Sequence, residues 1–217
     1  MITIGCAGFP VPATRYFQEL LFVEVPDTHV AQPGTGTLRR WRREAPPGFT
    51  FSLVAPREAG QEGFRASKVL DAALRNLDAV ARDLDAQIFV FTSPPEFAAT
   101  RANKAAVAEL LGTVRRRVAR VVWEPPPSWD AGDAHRLAQQ AGATAARDPL
   151  AQGVTEAAFA YYRLPGPAGH KSRYEDPAIE RLAGLAAGAA HEHAIYVFAN
   201  VDMFTDARRL TLALEPS

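Results

Sequence analysis

The sequence is poor in cysteine and has no long hydrophobic run. It contains a single cysteine, Cys6, in 217 residues. One cysteine excludes an intrachain disulfide framework and a cysteine-based zinc site, and it is typical of a reducing compartment. Charged residues and prolines interrupt every apolar stretch before it reaches the roughly 18 residues of a membrane-spanning helix. The amino terminus also lacks the basic and apolar regions of a signal peptide, so we expect a cytoplasmic protein.

An excess of charge of one sign is also absent. Lysine and arginine total 24 residues, and aspartate and glutamate also total 24. A balanced charge gives no general attraction to nucleic acid or to an anionic membrane, so neither partner is expected from the overall field. The composition, 47% hydrophobic and 22% charged, is typical of a folded globular chain with a sizeable core. We therefore expect one globular domain over residues 1–217.

Short apolar runs alternate with amphipathic stretches along the whole chain. Most of the runs are continuous in hydrophobicity, which is typical of strands buried on both faces of a parallel sheet. The predicted strands cover residues 2–6, 20–25, 50–55, 87–92, 118–124, 143–146, 159–164 and 195–199. Apolar residues at three- and four-residue spacing predict the helices. These cover residues 37–44, 67–84, 103–118, 133–141, 177–187 and 205–214.

Eight strands that alternate with helices in a chain of about 200 to 250 residues predict a compact TIM (β/α)8 barrel. An open, doubly wound α/β sheet is the alternative. In a barrel, the carboxyl ends of the strands meet at one mouth, where the site is built. Polar residues follow most of the predicted strands. We expect the mouth to be formed by Glu24, Arg57, Glu124, Asp148, Arg163 and Asn200.

Two carboxylates at this mouth are candidate catalytic groups. Glu24 and Glu124 each end an apolar strand, where a carboxylate is costly to bury unless a cation, a metal or hydrogen bonds satisfy it. Either could transfer a proton. The alternative is that Arg57 or Arg163 simply neutralises them in a structural ion pair. Arg163 and Arg57 could also hold a carboxylate or phosphate group of a ligand, because a guanidinium binds two oxygens at once.

No cofactor motif stands out in the sequence. Carboxylate and amide oxygens at the mouth could hold Mg²⁺ or Mn²⁺, so a divalent metal is possible, but no clear ligand motif supports one. The string from His191 to His193 precedes the last strand, at the end of the barrel opposite the mouth, and we interpret it as solvated loop histidines. His29 follows the second strand and His170 lies after the seventh; we interpret both as surface loop residues.

Two groups of arginines are prominent, Arg39 to Arg43 around Trp41 and Arg115 to Arg120. Basic residues near an aromatic ring can bind a nucleic-acid backbone. On helices that flank a barrel, such residues usually form a solvated outer face, and the zero net charge favours that interpretation.

An ordered series of local strings resembles the YecE-like family, catalogued as domain of unknown function 72. The strings run in order from residue 2 to about residue 210. They are Gly5-Cys-Ala-Gly-Phe9, Val23-Glu-Val-Pro-Asp-Thr28, Leu38-Arg-Arg-Trp41, Ala45-Pro-Pro-Gly-Phe49, Phe51-Ser-Leu-Val-Ala-Pro-Arg57, Phe91-Thr-Ser-Pro-Pro-Glu-Phe97, Glu124-Pro-Pro-Pro-Ser-Trp129, Tyr162-Arg-Leu-Pro-Gly166, Tyr174 and Tyr196-Val-Phe-Ala-Asn200. The resemblance implies a TIM barrel, in agreement with the strand count, and it implies no established reaction.

The chain departs from the family pattern at positions that are usually polar. Val54 stands where the family has lysine, Thr92 where it has glutamine, and Pro165 where it has histidine. The usual string containing arginine and histidine is one residue shorter here and includes Pro126. The family's polar pattern survives at Glu24, Thr28, Arg57, Glu124, Trp129, Asp148, Arg163, Tyr174 and Asn200. Among these, Trp129 and Tyr174 are predicted to be apolar walls of a pocket, and Thr28 joins the predicted binding residues.

Three functions are therefore open from the sequence. The first is a site for a small anionic molecule at the barrel mouth, in an enzyme of unknown reaction. The second is a binding or interaction protein that has lost the polar site of its family. The third is nucleic-acid binding through the arginine-rich helices, which patch-level analogy alone does not establish.

Overall fold

The computed structural model describes residues 1–26, 28 and 33–215, so His29 lies outside the described residues. The described residues form eight strands. In chain order they are β1 (Ile2–Ala7), β2 (Phe22–Val25), β3 (Thr50–Val54), β4 (Ile88–Thr92), β5 (Arg120–Glu124), β6 (Thr144–Ala145), β7 (Phe159–Leu164) and β8 (His193–Phe198). All eight were expected within a few residues.

Helices separate the strands. In chain order the described helices are α1 (Ala13–Tyr16), α2 (Thr35–Glu44), α3 (Glu58–Gln61), α4 (Lys68–Leu84), α5 (Arg101–Val114), α6 (Ala131–Gln140), α7 (Pro149–Gln152), α8 (Asp176–Gly188) and α9 (Met203–Ala213). The three helices of one turn, α1, α3 and α7, were not predicted, because a four-residue helix is too short to show a periodic pattern.

Each of the two longest helices begins directly after a capping residue. The side chain of Ser67 accepts a hydrogen bond from the Leu70 amide, and this cap begins α4 as expected. Thr100 caps α5 in the same way through the Asn103 amide, so that helix begins two residues earlier than predicted. It also ends at Val114 instead of continuing to residue 118, because Arg115 to Arg117 lie in a turn that follows it.

The chain divides into two compact units. Unit 1 comprises Met1–Glu24, Ala45–Phe49 and Arg147–Ser217, and unit 2 comprises Val25–Glu44 and Thr50–Ala146. In unit 1 the strands pair in the order β2-β1-β8-β7, and all pairings are parallel. In unit 2 the order is β3-β4-β5-β6, again parallel. The prediction of one domain over residues 1–217 stays a prediction.

Eight parallel strands, each followed along the chain by a helix, make the TIM (β/α)8-type barrel fold that the sequence predicts. The strand interiors are almost fully buried, as expected for a sheet that is covered on both faces. Active sites of TIM-barrel enzymes lie at the carboxyl ends of the strands. Within unit 1, the last residues of β2, β7 and β8 occupy such ends. None of the helices that the structure describes has the length and apolar composition needed to cross a bilayer.

Candidate functional site

The centre of unit 1 holds a buried ion pair between Glu24 of β2 and Arg163 of β7. The Glu24 side chain has no exposed surface, and its Oε1 accepts a hydrogen bond from Arg163 Nη2 at 2.7 Å. Its Oε2 accepts a second hydrogen bond, from the Tyr161 hydroxyl at 2.8 Å. The Arg163 side chain keeps 18% of its surface exposed. The carboxylate is therefore enclosed, while part of the Arg163 side chain reaches solvent.

Two small residues of β1, Gly5 and Ala7, share the face of the sheet on which Glu24 and Arg163 pair. Glu24 is in register with Ala7 of β1, and Arg163 is in register with Val197 of β8, which in turn pairs with Gly5. Residues in register on neighbouring strands point to the same face of the sheet. A Cβ on Gly5 would lie 2.2 Å from the backbone oxygen of Phe22. Glycine is therefore required there for β1 and β2 to approach, and it leaves the face open for Arg163.

The sequence left open a structural ion pair between Glu24 and either Arg57 or Arg163, as the alternative to a catalytic role. The structure contains the ion pair with Arg163. Both oxygens of Glu24 accept hydrogen bonds from side chains of β7. Charge-assisted hydrogen bonds of this kind offset the cost of burying a carboxylate. The predicted catalytic role of Glu24 stays a prediction. It would require the carboxylate to give up one of these two hydrogen bonds to reach a substrate.

Asn200 and Tyr174, both predicted binding residues, lie in a second polar network of unit 1. Asn200 is buried and its Nδ2 donates to Asp206 Oδ2 at 2.8 Å and to the Ser172 backbone oxygen at 3.2 Å. Its Oδ1 is buried and has no hydrogen-bond partner among the described residues. The Tyr174 hydroxyl accepts from the Gly166 amide at 2.8 Å, and burial raises the pKa of this phenol.

Arg209 of α9 links the two residues through this network. Its Nη1 donates to Asp206 Oδ1 at 2.6 Å and to the Tyr174 backbone oxygen at 2.7 Å, and its Nη2 contacts Asp176 at the start of α8. The network therefore fastens the loop after β7 to α8 and α9. Asn200 and Tyr174 make structural hydrogen bonds in this network. Their predicted role in ligand binding stays a prediction.

Asp148, another predicted binding residue, caps the one-turn helix α7. Its Oδ1 accepts a hydrogen bond from the Leu150 amide at 2.9 Å, and Pro149 occupies the first helical position. Burial raises the pKa of the Asp148 carboxyl, although the amides of Leu150 and Ala151 act in the opposite direction. The Asp-Pro pair is a cap signal that the sequence carries, because proline is favoured at the first position of a helix.

The remaining predicted residues belong to unit 2. Arg57 is exposed and precedes α3. Glu124 is half-buried at the end of β5, in register with Thr92. The Thr28 hydroxyl is buried and donates to the backbone oxygens of Val25, at 3.3 Å, and Val54. Nothing in unit 2 tests the predicted catalytic role of Glu124 or the predicted binding roles of Thr28 and Arg57.

Trp129 is packed into an aromatic cluster of unit 2. Its ring stacks on Phe97 at a centroid distance of 6.0 Å and meets Trp123 edge-on at 4.9 Å. Its indole nitrogen donates to the Phe97 backbone oxygen at 2.6 Å. With 5% of its surface exposed, Trp129 fixes the rigid loop that Pro125 to Pro127 begin. Its predicted role as a pocket wall stays a prediction.

Two histidines of unit 1, His191 and His193, form hydrogen bonds with hydroxyl groups. His191 and His193 are half-buried, not solvated as predicted, because each forms hydrogen bonds within unit 1: His191 with the Tyr162 hydroxyl at 2.9 Å and His193 with the Thr3 hydroxyl at 2.9 Å. Within the described ranges no three histidine, cysteine, aspartate or glutamate residues group as metal ligands. The divalent metal stays a possibility that the sequence raised.

Comparison with known proteins fits this fold. Over residues 13–216, the chain matches a family profile described as a protein of unknown function, DUF72. The chain belongs to the DUF72 family. This confirms the resemblance found in the sequence strings. A search of the curated proteins finds no match.

Solved structures give the same result for the fold. A DUF72 family protein from Thermotoga maritima has a TM-score of 0.77 and 17% identity, with full coverage of both chains. One from Enterococcus faecalis has a TM-score of 0.77 and 14% identity, covering 100% of this chain and 96% of the other. A D-psicose 3-epimerase from Clostridium cellulolyticum, solved with D-tagatose, has a TM-score of 0.66 and 9% identity, covering 98% and 96%. At these identities the likeness shows the fold alone.

Three residues of this DUF72 protein's unit 1 site were missed from the sequence. Tyr161 has the appearance of a core residue in an apolar strand, and its hydroxyl partner lies 137 residues away in the chain. Asp206 and Arg209 are three residues apart in α9, where an acid and a base share a helix face. That spacing was the available signal, although it does not indicate that Asp206 is buried.

Proposed function

We propose that this DUF72 protein binds a small anionic molecule at the carboxyl ends of the unit 1 strands, and that Arg163 contacts the anion. The observation that carries the proposal is the geometry of one pair: an arginine side chain that is 18% exposed is held by a carboxylate side chain with no exposed surface. A ligand that approaches from solvent therefore meets a positive group first. The buried Glu24 carboxylate holds the Arg163 guanidinium in one orientation.

Glu24 and Tyr161 act as positioning residues in this proposal. The Glu24 carboxylate accepts from Arg163 Nη2 and from the Tyr161 hydroxyl, so both of its oxygens are engaged within unit 1. A guanidinium has five N–H donors, and Glu24 takes one from Nη2. An arginine held in this way loses little rotamer freedom when it binds a ligand, which favours affinity. The same engagement favours ligand binding over proton transfer at Glu24.

The chemistry of arginine indicates the class of ligand. The planar fork of a guanidinium matches the two oxygens of a carboxylate or phosphate. The epimerase solved with D-tagatose has a similar fold, which is the reason to begin with sugar acids and sugar phosphates. Arg163 would hold their anionic group.

The test is a thermal-shift screen of the purified protein with sugar phosphates, sugar acids, nucleotides and small carboxylic acids. A ligand that binds only the folded chain adds about 2.7 kcal/mol of stability at a hundredfold excess over Kd. We expect at least one anionic class to raise the Tm. The matched uncharged sugar, without its phosphate or carboxylate, is expected to give a much smaller shift.

Variants locate the site. In Glu24→Gln with Arg163→Met both charges of the pair are removed together, so no buried charge is left without a partner. We expect this double variant to fold and to lose the thermal shift. Arg181→Gln removes one exposed arginine of α8 and is the control, expected to keep the shift. A shift that persists in the double variant, or no shift with any anionic class, would contradict the proposal.

A further inference from the structure

A groove in unit 2 brings together charged residues that are far apart in the sequence. It lies between the carboxyl end of α4 and the turn after α5, and its volume is about 650 Å³. Four arginines and two aspartates line it, so positive charge is in excess. They are Asp78, Arg82, Asp85, Arg115, Arg116 and Arg117.

Contacts within unit 2 hold several of these arginines in place. Arg117 Nη1 pairs with Asp78 Oδ2 at 3.3 Å, and Arg82 Nε donates to the Asp78 backbone oxygen at 3.3 Å. Arg115 Nη1 donates to the backbone oxygen of Val118 at 3.0 Å, across the turn. Arg116 is exposed and has no acidic partner in the part of the chain that the structure describes. The groove therefore presents fixed guanidinium groups together with one that is not paired to an acid.

The second arginine group of the sequence adjoins the first. Helix α2 packs against α4, and Arg42 Nη2 pairs with Asp85 Oδ2 at 3.2 Å on the groove rim. Arg39 lies one turn before Arg42 and shares its helix face. Arg39 and Arg40 are exposed, and neither has an acidic partner among residues 1–26, 28 and 33–215. Arg40 lies two positions before Arg42 and is therefore on another face of the helix. The other arginines form one basic surface, which we call the arginine surface: Arg39, Arg42, Arg82, Arg115, Arg116 and Arg117.

We propose that the arginine surface binds the phosphodiester backbone of nucleic acid. Arginine suits this ligand because its fork matches phosphate oxygens, and several arginines along a surface match successive phosphates. The whole chain has no net charge, so this concentration of positive charge is local. Phe89 is the one aromatic residue that lines the groove, and it is buried, so no ring there stacks on a base. The binding is therefore independent of sequence.

The experiment is fluorescence anisotropy with a labelled, mixed-sequence oligonucleotide of about 30 nucleotides, as RNA and as DNA. The test variant combines Arg39→Gln, Arg82→Gln and Arg116→Gln. All three side chains are exposed, so their replacement leaves packing intact. The control variant loses the same charge elsewhere through Lys68→Gln, Arg101→Gln and Arg181→Gln, which are also exposed.

We expect the wild-type protein to bind at about 50 mM salt, with log K falling linearly as log salt rises. The test variant should bind at least about tenfold more weakly, with a salt slope smaller by about two, because three phosphate contacts are lost. The control variant should bind within about twofold of wild type, because its three substituted residues lie outside the arginine surface and contact no phosphate.

Several results would overturn the proposal. One is failure of the wild-type protein to bind the oligonucleotide at low salt. Another is an equal loss in the two triple variants, which would mean that only net charge matters. If inorganic triphosphate displaces the oligonucleotide and an oligonucleotide of about five nucleotides binds as tightly as the long one, the groove holds a small polyphosphate instead. Binding to phosphatidylserine vesicles without binding to oligonucleotides would assign the surface to a membrane.

Discussion

The Glu24 carboxylate has no exposed surface, and Arg163 Nη2 lies 2.7 Å from its Oε1. The two residues are on β2 and β7. Gly5 and Ala7 of β1 and Val197 of β8 lie between them in register. This relationship has two consequences. Breaking the pair should destabilise unit 1, because it leaves a buried charge without its partner. The pair also orients the one cation that we propose contacts a ligand.

Removing the charge of one member of the pair should lower the free energy of unfolding more than removing the charges of both. Arg163→Met leaves a buried carboxylate without its cation, which costs about 3–5 kcal/mol in buried pairs. Glu24→Gln with Arg163→Met replaces the pair by neutral groups, and we expect much of that stability to return. Urea unfolding of the two single variants and the double variant measures the coupling.

The exposed pair of Arg173 and Asp202 is the control for that cycle, because 72% of the Arg173 side chain is exposed. Its coupling should be at most about 1 kcal/mol. If the effects of Glu24→Gln and Arg163→Met were simply additive, the buried pair would have no special role in the stability of unit 1.

Asp148 should make the protein less stable as the pH rises. Burial raises the pKa of its carboxyl above the usual 3.8, so the folded chain binds this proton more tightly than the unfolded chain. Protonation therefore favours folding, and stability is lost as the pH rises from the unfolded pKa through the folded pKa. Asp148→Asn keeps an N-cap acceptor and should remove this loss. The measurement is urea unfolding between about pH 3 and pH 7.

Asp130→Asn is the matched control for Asp148, because Asp130 caps α6 from an exposed position and accepts from the Asp133 amide at 2.8 Å. We expect the difference in unfolding free energy between wild type and Asp148→Asn to change with pH more than the corresponding difference for the control. A pH-independent difference for Asp148→Asn would be incompatible with the raised pKa.

Gly5→Ala should destabilise unit 1. The new Cβ would lie 2.2 Å from the Phe22 backbone oxygen, so β1 and β2 would have to separate. Overpacking typically costs about 1–3 kcal/mol, and we expect Gly5→Ala to lie at the upper end because the clash is with backbone. Gly184→Ala, inside α8 with open space around it, should instead stabilise by about 0.5–1 kcal/mol. Thermal unfolding of both variants checks the prediction, and a neutral Gly5→Ala would refute the close approach of the strands.

Cys6 should not react with thiol reagents in the folded protein. Its thiol is buried, and this burial raises its pKa to about 12. The thiolate, which is the reactive form, is therefore nearly absent at about pH 8. Iodoacetamide followed by mass spectrometry should show labelling only after denaturation. Native labelling at the rate of the unfolded chain would show that Cys6 is accessible.

Much of the fold could be predicted from the sequence, because the signals for it are local. The periodic apolar positions and the Ser67 cap predicted the helix at 67–84, and α4 occupies Lys68–Leu84. The continuous hydrophobicity of β7 and β8 predicted strands buried on both faces. Helix α5 ended early for a reason that periodicity does not show, because the residues after Val114 enter a turn.

The candidate site was only partly predictable, because its partners are distant in the chain. Sequence position placed Glu24 and Arg163 at strand ends, but it left open which arginine Glu24 would meet. The two residues are 139 positions apart, and the intervening sequence carries no signal of that contact. Tyr161 was missed because a tyrosine in an apolar strand is typical of a core, and its polar end is visible only in the folded chain. Asp148 was predicted as a binding residue, although the proline that follows it favours the start of a helix at that position.

The most direct test of the account is an experimental structure of the protein with the anionic ligand that gives the largest thermal shift. We predict that the carboxylate or phosphate of the ligand lies within hydrogen-bond distance of the Arg163 guanidinium, with the Glu24 and Tyr161 contacts intact. A ligand bound elsewhere, or one that displaces Arg163 from Glu24, would contradict the claim that this pair orients an anion-binding arginine.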